Sequence, residues 1–199
     1  MAPDLLLSLA ILVVAGSWTP GPNTSMVAAS SANFGMRRTV PHVMGITVGF
    51  PVMVLAVGLA LGEVFAASAV LREGLRWGGA AVLLWLAWQI ARSGGLGRRD
   101  SPRPFGFLEA AAFQWINPKA WVMAVAVTTQ FIDPARPLGT ALVVAGAFAV
   151  AGLTSSLAWA GLGQALRGWL EGPGRLRAFN ATMGALIALS VVGIVWPTG

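Results

Sequence analysis

The sequence predicts an all-α fold, a polytopic membrane bundle of six transmembrane helices, on three observations. Hydrophobic residues make up 56% of the 199 residues and charged residues only 10%, where a soluble globular domain carries about 25% charged. So few charges do not coat a chain of 20.6 kDa and mean hydropathy +0.74 in water; its apolar stretches therefore face lipid. These stretches fall into six runs near the ~20 residues that a helix needs to cross ~30 Å of hydrocarbon. Finally, two of the runs are interrupted by a proline beside an asparagine. The whole chain, 1–199, reads as one transmembrane domain, because six spans leave no length for a separate soluble unit.

The first span covers roughly 5–31 and is broken at Thr19–Pro20–Gly21–Pro22–Asn23. Only Asp4 precedes its leucines, so it lacks the positive flank of a signal peptide and reads as an uncleaved helix. The second covers about 41–62, with Pro51 inside it and Glu63 at its end. Its glycines, Gly45 with Gly49 and Gly58 with Gly62, have the spacing that lets helices approach closely. The third, about 74–91, contains Trp77, Trp85 and Trp88, suited to interfacial anchoring or packing. A polar connection rich in Gly, Arg and Pro follows over 92–104. The fourth span, about 107–132, is broken at Asn117–Pro118–Lys119. The fifth covers about 138–165 and the sixth about 179–196.

Basic residues set the orientation. Arg37 and Arg38, then Arg92, Arg98, Arg99 and Arg103, then Arg167, Arg175 and Arg177 lie in the first, third and fifth connections. The second and fourth hold only Arg72, Arg76 and Arg136. Cytoplasmic loops carry the excess of Lys and Arg, so both termini are expected on the outer side of the membrane. The same residues account for the net charge of +6. No basic stretch is interleaved with aromatics as a nucleic-acid surface requires, so no nucleic-acid partner is expected.

Three spans per half would put the second half upside down relative to the first. The first span of each half is broken by a proline beside an asparagine, and Trp18 and Trp115 precede the breaks. The sequence therefore suggests inverted repeats over 1–92 and 105–199. Interrupted spans at corresponding places in two halves point to a transporter's binding site.

Proline removes a backbone donor and clashes with the preceding turn. In lipid the freed backbone groups need another partner or a watery cavity. Pro20, Gly21 and Pro22 are too disruptive for a simple kink and predict an unwound segment between half-helices. Its carbonyls, the half-helix ends and the Asn23 amide could hold the ammonium and carboxylate of an amino acid; the alternative is a kink used only in packing. Lys119 falls about 18 Å along the fourth helix from residue 107, and an ionisable residue at that depth is a functional candidate. It could neutralise a carboxylate, pair with Glu63 or Glu109, or snorkel to the cytoplasmic interface. Gln114 and Asn117 are the polar groups nearest to it. Glu63 and His42 are candidate ion-coupling groups, because carboxylates and histidines in spans relay protons; both could instead be interfacial.

The same two breaks resemble a known family. Thr19–Pro20–Gly21–Pro22–Asn23 resembles the Pro-Gly-Pro-Asn signature in the first helix of LysE/RhtB-type exporters. Asn117–Pro118–Lys119–Ala120 with Gln130–Phe131 resembles that family's Asn-Pro-Lys-Ala segment and its downstream Gln-Phe. Gly45–Ile46–Thr47–Val48–Gly49 is similar to its glycine-spaced second helix, and Met183–Gly184–Ala185–Leu186 to its last. Val82 stands where the family often has tyrosine. The resemblance implies secondary efflux of amino acids or related metabolites from the bacterial cytoplasm across the inner membrane, usually driven by an ion gradient, here expected to be protons.

The expected function is thus a secondary exporter of small zwitterions that uses no cofactor, with the bilayer as its other partner and homo-oligomers allowed. A metal-cation exporter would need a cluster of carboxylate, thiol or imidazole ligands. With no cysteine and one histidine, the chain is poor in such ligands. Enzymatic chemistry needs paired titratable groups, which the spans lack. A scaffold subunit would leave the two broken helices without a purpose.

Overall fold

The computed structural model describes residues 2–61, 64, 67–92 and 103–195. Among these the structure is helical nearly throughout, with no strand. Helices α1 (Pro3–Trp18) and α2 (Pro22–Phe34) are the two halves of the predicted first span, bent by 47° at the break. Pro22 begins α2, where its missing N–H would be unpaired in any case. Thr24 closes the turn: its hydroxyl accepts from the Gly21 N–H at 2.9 Å and donates to the Gly21 carbonyl at 3.1 Å.

Gly35 has φ +86°, which a side chain would strain, and it turns the chain into α3 (Met36–Ala56). This helix starts earlier than the sequence suggests, with Pro41 near its N-terminal end, and continues past Pro51 into a π-helical turn at Val57–Leu61. Glu63 and Gly62 lie outside the described residues. Helix α4 spans Ala69–Ala91, α5 Phe107–Ile116, α6 Pro118–Phe131, α7 Pro137–Leu170 and α8 Arg175–Val195. The fourth predicted span is α5 and α6, separated at Asn117.

The 34-residue α7 is the axis of the bundle, with α1, α2 and α3 packed along it, while α3 also packs on α5. Helices α4 and α8 pack chiefly on each other. Leu9, Val13, Met53, Trp121, Val127 and Phe148 form one apolar cluster; Met26, Leu83, Phe113, Met183 and Ile187 form another. Polarity is distributed as lipid demands. Leu108 is 77% and Val70 85% exposed on the outside, whereas Ser31, His42, Gln114, Asn117 and Asn180 are buried inside. The amides of Asn33 and Asn180 bond each other at 2.9 and 3.4 Å and pin α2 to α8.

Among the described residues, Met36–Ala60, Pro137–Leu170 and Arg175–Val192 are each long and apolar enough to cross a membrane, and α1 with α2 makes a fourth span if the bent pair is counted as one. Helix α4 is long enough, but Arg76, Gln89 and three tryptophans lower its hydropathy. Helices α5 and α6 have 10 and 14 residues and are each short of a span.

The glycines of α3 are places of contact inside the bundle. A Cβ on Gly45 would lie 2.4 Å from the Phe107 carbonyl oxygen, and one on Gly49 would lie 2.6 Å from the Ala111 Cα. Without a hydrophobic force between helices in lipid, such close packing contributes much of the association. Gly49→Val is expected to destabilise the protein by about 1–3 kcal/mol through overpacking, read as a lower thermal midpoint in detergent. Gly74→Ala, with open space around it, should not lower that midpoint.

Candidate functional site

The two breaks meet at the middle of the bundle. Where α1 ends and α2 begins, and where α5 ends and α6 begins, the chain segments line one pocket of about 70 Å³. Helix ends leave backbone groups without intrahelical partners, and here side chains from other helices supply them. The Thr19 N–H and hydroxyl both turn back to the Ala15 carbonyl. Ser155 of α7 donates its hydroxyl to the Ser17 carbonyl at 2.7 Å. Lys119 donates from Nζ to the Thr19 carbonyl at 3.2 Å, joining the second break to the first.

Asn117 caps α6: its side-chain oxygen accepts from the Lys119 N–H at 3.1 Å, and its own N–H bonds the Phe113 carbonyl at 3.0 Å. This cap places Lys119 in the first turn of α6, with its stem lying over the other break. Gly21 leaves room for that stem: a Cβ there would sit 2.9 Å from the Lys119 Nζ, which would have to shift. The second bridge is the amide pair of Asn23 and Gln114. Asn23 donates to Gln114 at 2.9 Å and Gln114 donates back at 3.3 Å, while also donating to the Ala110 carbonyl at 2.9 Å.

The electrostatics follow from the four helix ends. N-termini carry partial positive charge and C-termini partial negative charge. The starts of α2 and α6, with the Lys119 ammonium, therefore favour an anionic group. The carbonyls ending α1 and α5 favour a cationic one. Among the residues lining this pocket there is a lysine and no carboxylate.

Of the residues picked out from the sequence, Thr19, Gly21, Pro22, Asn23, Gln114, Asn117 and Lys119 line the pocket. Pro20 is exposed, and Pro118 faces a separate cavity on the far side of Lys119. Lys119 is half-buried in the first turn of α6 and is not paired with Glu109. That carboxylate is taken by Arg103, at 2.6 and 2.7 Å, and by the Gly106 N–H at 2.8 Å. Sequence reasoning missed Ser17, Thr24, Ile46, Phe50, Met123, Phe148 and Ser156, which with Gly16, Ala120 and Gly152 complete the wall. Phe50 and Phe148 meet edge to face at 4.9 Å. Ser155–Ser156, a polar pair within an apolar span, was the one available signal.

His42 lies elsewhere, buried toward the end of the bundle where α2 turns into α3. It lines a smaller pocket of about 40 Å³ with Asn33, Gln89, Arg103 and Phe105, its ring 5.4 Å from that of Phe105. It is fully buried, and neither imidazole nitrogen has a hydrogen-bond partner among the described residues. No group of three or more His, Cys, Asp or Glu suited to a metal occurs among those residues.

Comparison with known proteins identifies the family. The family described as LysE type translocator matches residues 14–195. A homoserine/homoserine lactone efflux protein of Salmonella typhimurium is 32% identical over 180 residues, 87% of each chain. A cysteine/O-acetylserine efflux protein of Salmonella paratyphi A is 30% identical over 162 residues, 80% of this chain and 83% of its own. One of Klebsiella pneumoniae is 29% identical over 196 residues, 98% of this chain and 99% of its own. No solved structure matches the chain. The family match takes in both helix breaks and continues to the last residue of α8, so the chain belongs to the LysE type translocators and is a multi-pass membrane transporter, not an enzyme.

Proposed function

We propose that the protein is a secondary exporter of small zwitterionic amino acids, bound where the two helix breaks face each other and driven outward by a proton gradient. One observation carries this reading: two helix starts, two helix ends and the Lys119 ammonium, which rests on the Thr19 carbonyl at 3.2 Å, border a single pocket. A carboxylate would bond the N–H groups at the starts of α2 and α6 and the ammonium of Lys119. The cargo's own ammonium would face the carbonyls of Ser17 and Thr19, with Asn23 and Gln114 completing the shell. The printed names of the relatives, homoserine and cysteine/O-acetylserine efflux proteins, fit cargo of this size and charge. A metal cation fits poorly beside a lysine with no carboxylate in the wall.

The same reading includes six spans in two inverted repeats, 1–92 and 105–199, with both termini outside. Its support is pairing between counterparts. Helix α3 packs on α7, α4 on α8, and the first break on the second, as a two-fold axis in the membrane plane would arrange them. His42 is the proposed proton carrier, being buried with both nitrogens unpartnered. The charged groups facing it are Glu109 of α5 and Arg103 before it, which hold each other. The hydrogen bond to Glu109 raises the pKa of Arg103 above the ordinary arginine value, so this cation does not titrate near neutrality.

Efflux of labelled homoserine, cysteine, O-acetylserine and a wider amino-acid panel from proteoliposomes under an imposed pH gradient tests the reading. Lys119→Ala is expected to slow that efflux at least about tenfold, a loss of ~1.4 kcal/mol of stabilisation; efflux at the wild-type rate would remove Lys119 from the site. His42→Gln should leave counterflow exchange of the cargo intact while abolishing its response to the pH gradient. An unchanged response would move proton coupling off His42, with Glu63 the next residue to replace. For the amide bridge, a double-mutant cycle between Asn23→Leu and Gln114→Leu should give a coupling of about 0.6–1.7 kcal/mol in thermal stability, the range for hydrogen bonds between membrane helices. Zero coupling would show that the pair does not hold the breaks together.

A further inference from the structure

The pocket at the two breaks is small, about 70 Å³. Beyond one wall lies a far larger cavity of about 710 Å³, open at the seam between the α4–α8 pair and the rest of the bundle. It extends toward the end of the molecule where α4 begins, with Arg72 and Arg76 beside it and Ser190 of α8 in its lining. The two cavities share four lining residues: Gly16, Thr19, Lys119 and Met123. These four are therefore the partition between them.

The partition has a polar half and an apolar half. The polar half is the Lys119 ammonium on the Thr19 carbonyl. The apolar half is Met123, whose methyl occupies the space over Gly16: a Cβ there would lie 2.2 Å from the Met123 Cε and 3.2 Å from its Sδ. Methionine is unbranched, with three rotatable bonds, so its end can leave that seat without moving α6. Gly16 supplies the seat because it has no side chain.

We infer that Met123 seated on Gly16 is the door between the binding pocket and the large cavity, which is the exit route for the cargo. This rests on the exporter reading and adds to it a route and a gate. A carboxylate that engages the Lys119 ammonium competes with the Thr19 carbonyl for it, so loading the pocket releases the polar half of the partition. The apolar half then opens by rotation of the Met123 side chain.

The chain has no cysteine, so single cysteines report access directly. Ser156→Cys places a thiol in the pocket wall and Ser190→Cys places one in the large cavity. A charged, membrane-impermeant methanethiosulfonate is added to proteoliposomes on the side from which Ser190→Cys is modified. Ser156→Cys should react slowly with Met123 in place and at least about tenfold faster with Met123→Ala, which removes the flexible end. Met123→Leu keeps the volume but loses the reach to Gly16, so it gives an intermediate rate and keeps the test available if the alanine variant folds poorly. An equal rate at Ser156→Cys with and without the Met123 substitutions overturns the door. So does reaction at Ser156→Cys as fast as at Ser190→Cys with Met123 present, and so does a Ser190→Cys that is modified from neither side. The labelling needs no cargo. A door that opens in these variants while no amino acid is exported would overturn the function and keep the gate, and export with an indifferent Met123 would do the reverse.

Discussion

A backbone group inside a bilayer has no water to bond, and every feature of this molecule's centre follows from how it meets that demand at two broken helices. Pro20, Gly21 and Pro22 end one ladder and Pro118 ends the other. Each break releases carbonyls on one side and N–H groups on the other. Either break facing lipid would cost several kcal/mol per unpaired group. They are stable because they lie against each other and against α7, with Ser155, Asn117, Thr24 and Lys119 supplying partners. The long α7 is the support, and the close contact of α3 with α5 through Gly45 and Gly49 holds the second break at the depth of the first.

The same demand makes the breaks suitable for a charged solute. Half-helix ends that need polar partners are also the strongest fixed dipoles in the protein, and two of each sign converge here. The bridges across the gap, Lys119 to Thr19 and Asn23 to Gln114, are of the kind that a zwitterion can replace with its own donors and acceptors. For the proposed cargo, binding then exchanges one set of hydrogen bonds for another. Such an exchange favours neither permanent occupancy nor an empty site, which suits a carrier that must also let go.

Much of this was legible in the sequence because proline and glycine are local punctuation. The two breaks, the helices around them and the residues Thr19, Gly21, Pro22, Asn23, Gln114, Asn117 and Lys119 could be named from spacing and polarity alone. The helix limits were less so. Helix α3 begins at Met36 because Gly35 turns the chain and an early proline is tolerated, and α7 runs on to Leu170 past the apolar stretch. The rest of the pocket comes from distant helices through residues that look like any others in an apolar chain. Nothing in the spacing marks Phe50, Phe148 or Met123, since their role lies in which helix they face. His42 shows the same limit. From the sequence it could sit at an interface, and its burial comes from Phe105, a residue before α5 that packs across it.

The unequal cavities decide how such a site must operate. The pocket of about 70 Å³ is far smaller than the outer cavity of about 710 Å³, and the two share the wall formed by Gly16, Thr19, Lys119 and Met123. Rigid motion of half the bundle is one way to join the two spaces. It would have to disturb the packed faces of α2, α3 and α7, where buried side chains interdigitate with little room to slide. The partition at Gly16 and Met123 is thinner than any of those faces: one flexible side chain resting on a residue with none. That partition lies beside the one ammonium that the proposed cargo would engage. Loading and release can therefore be linked through Lys119 itself, with no signal carried across the bundle.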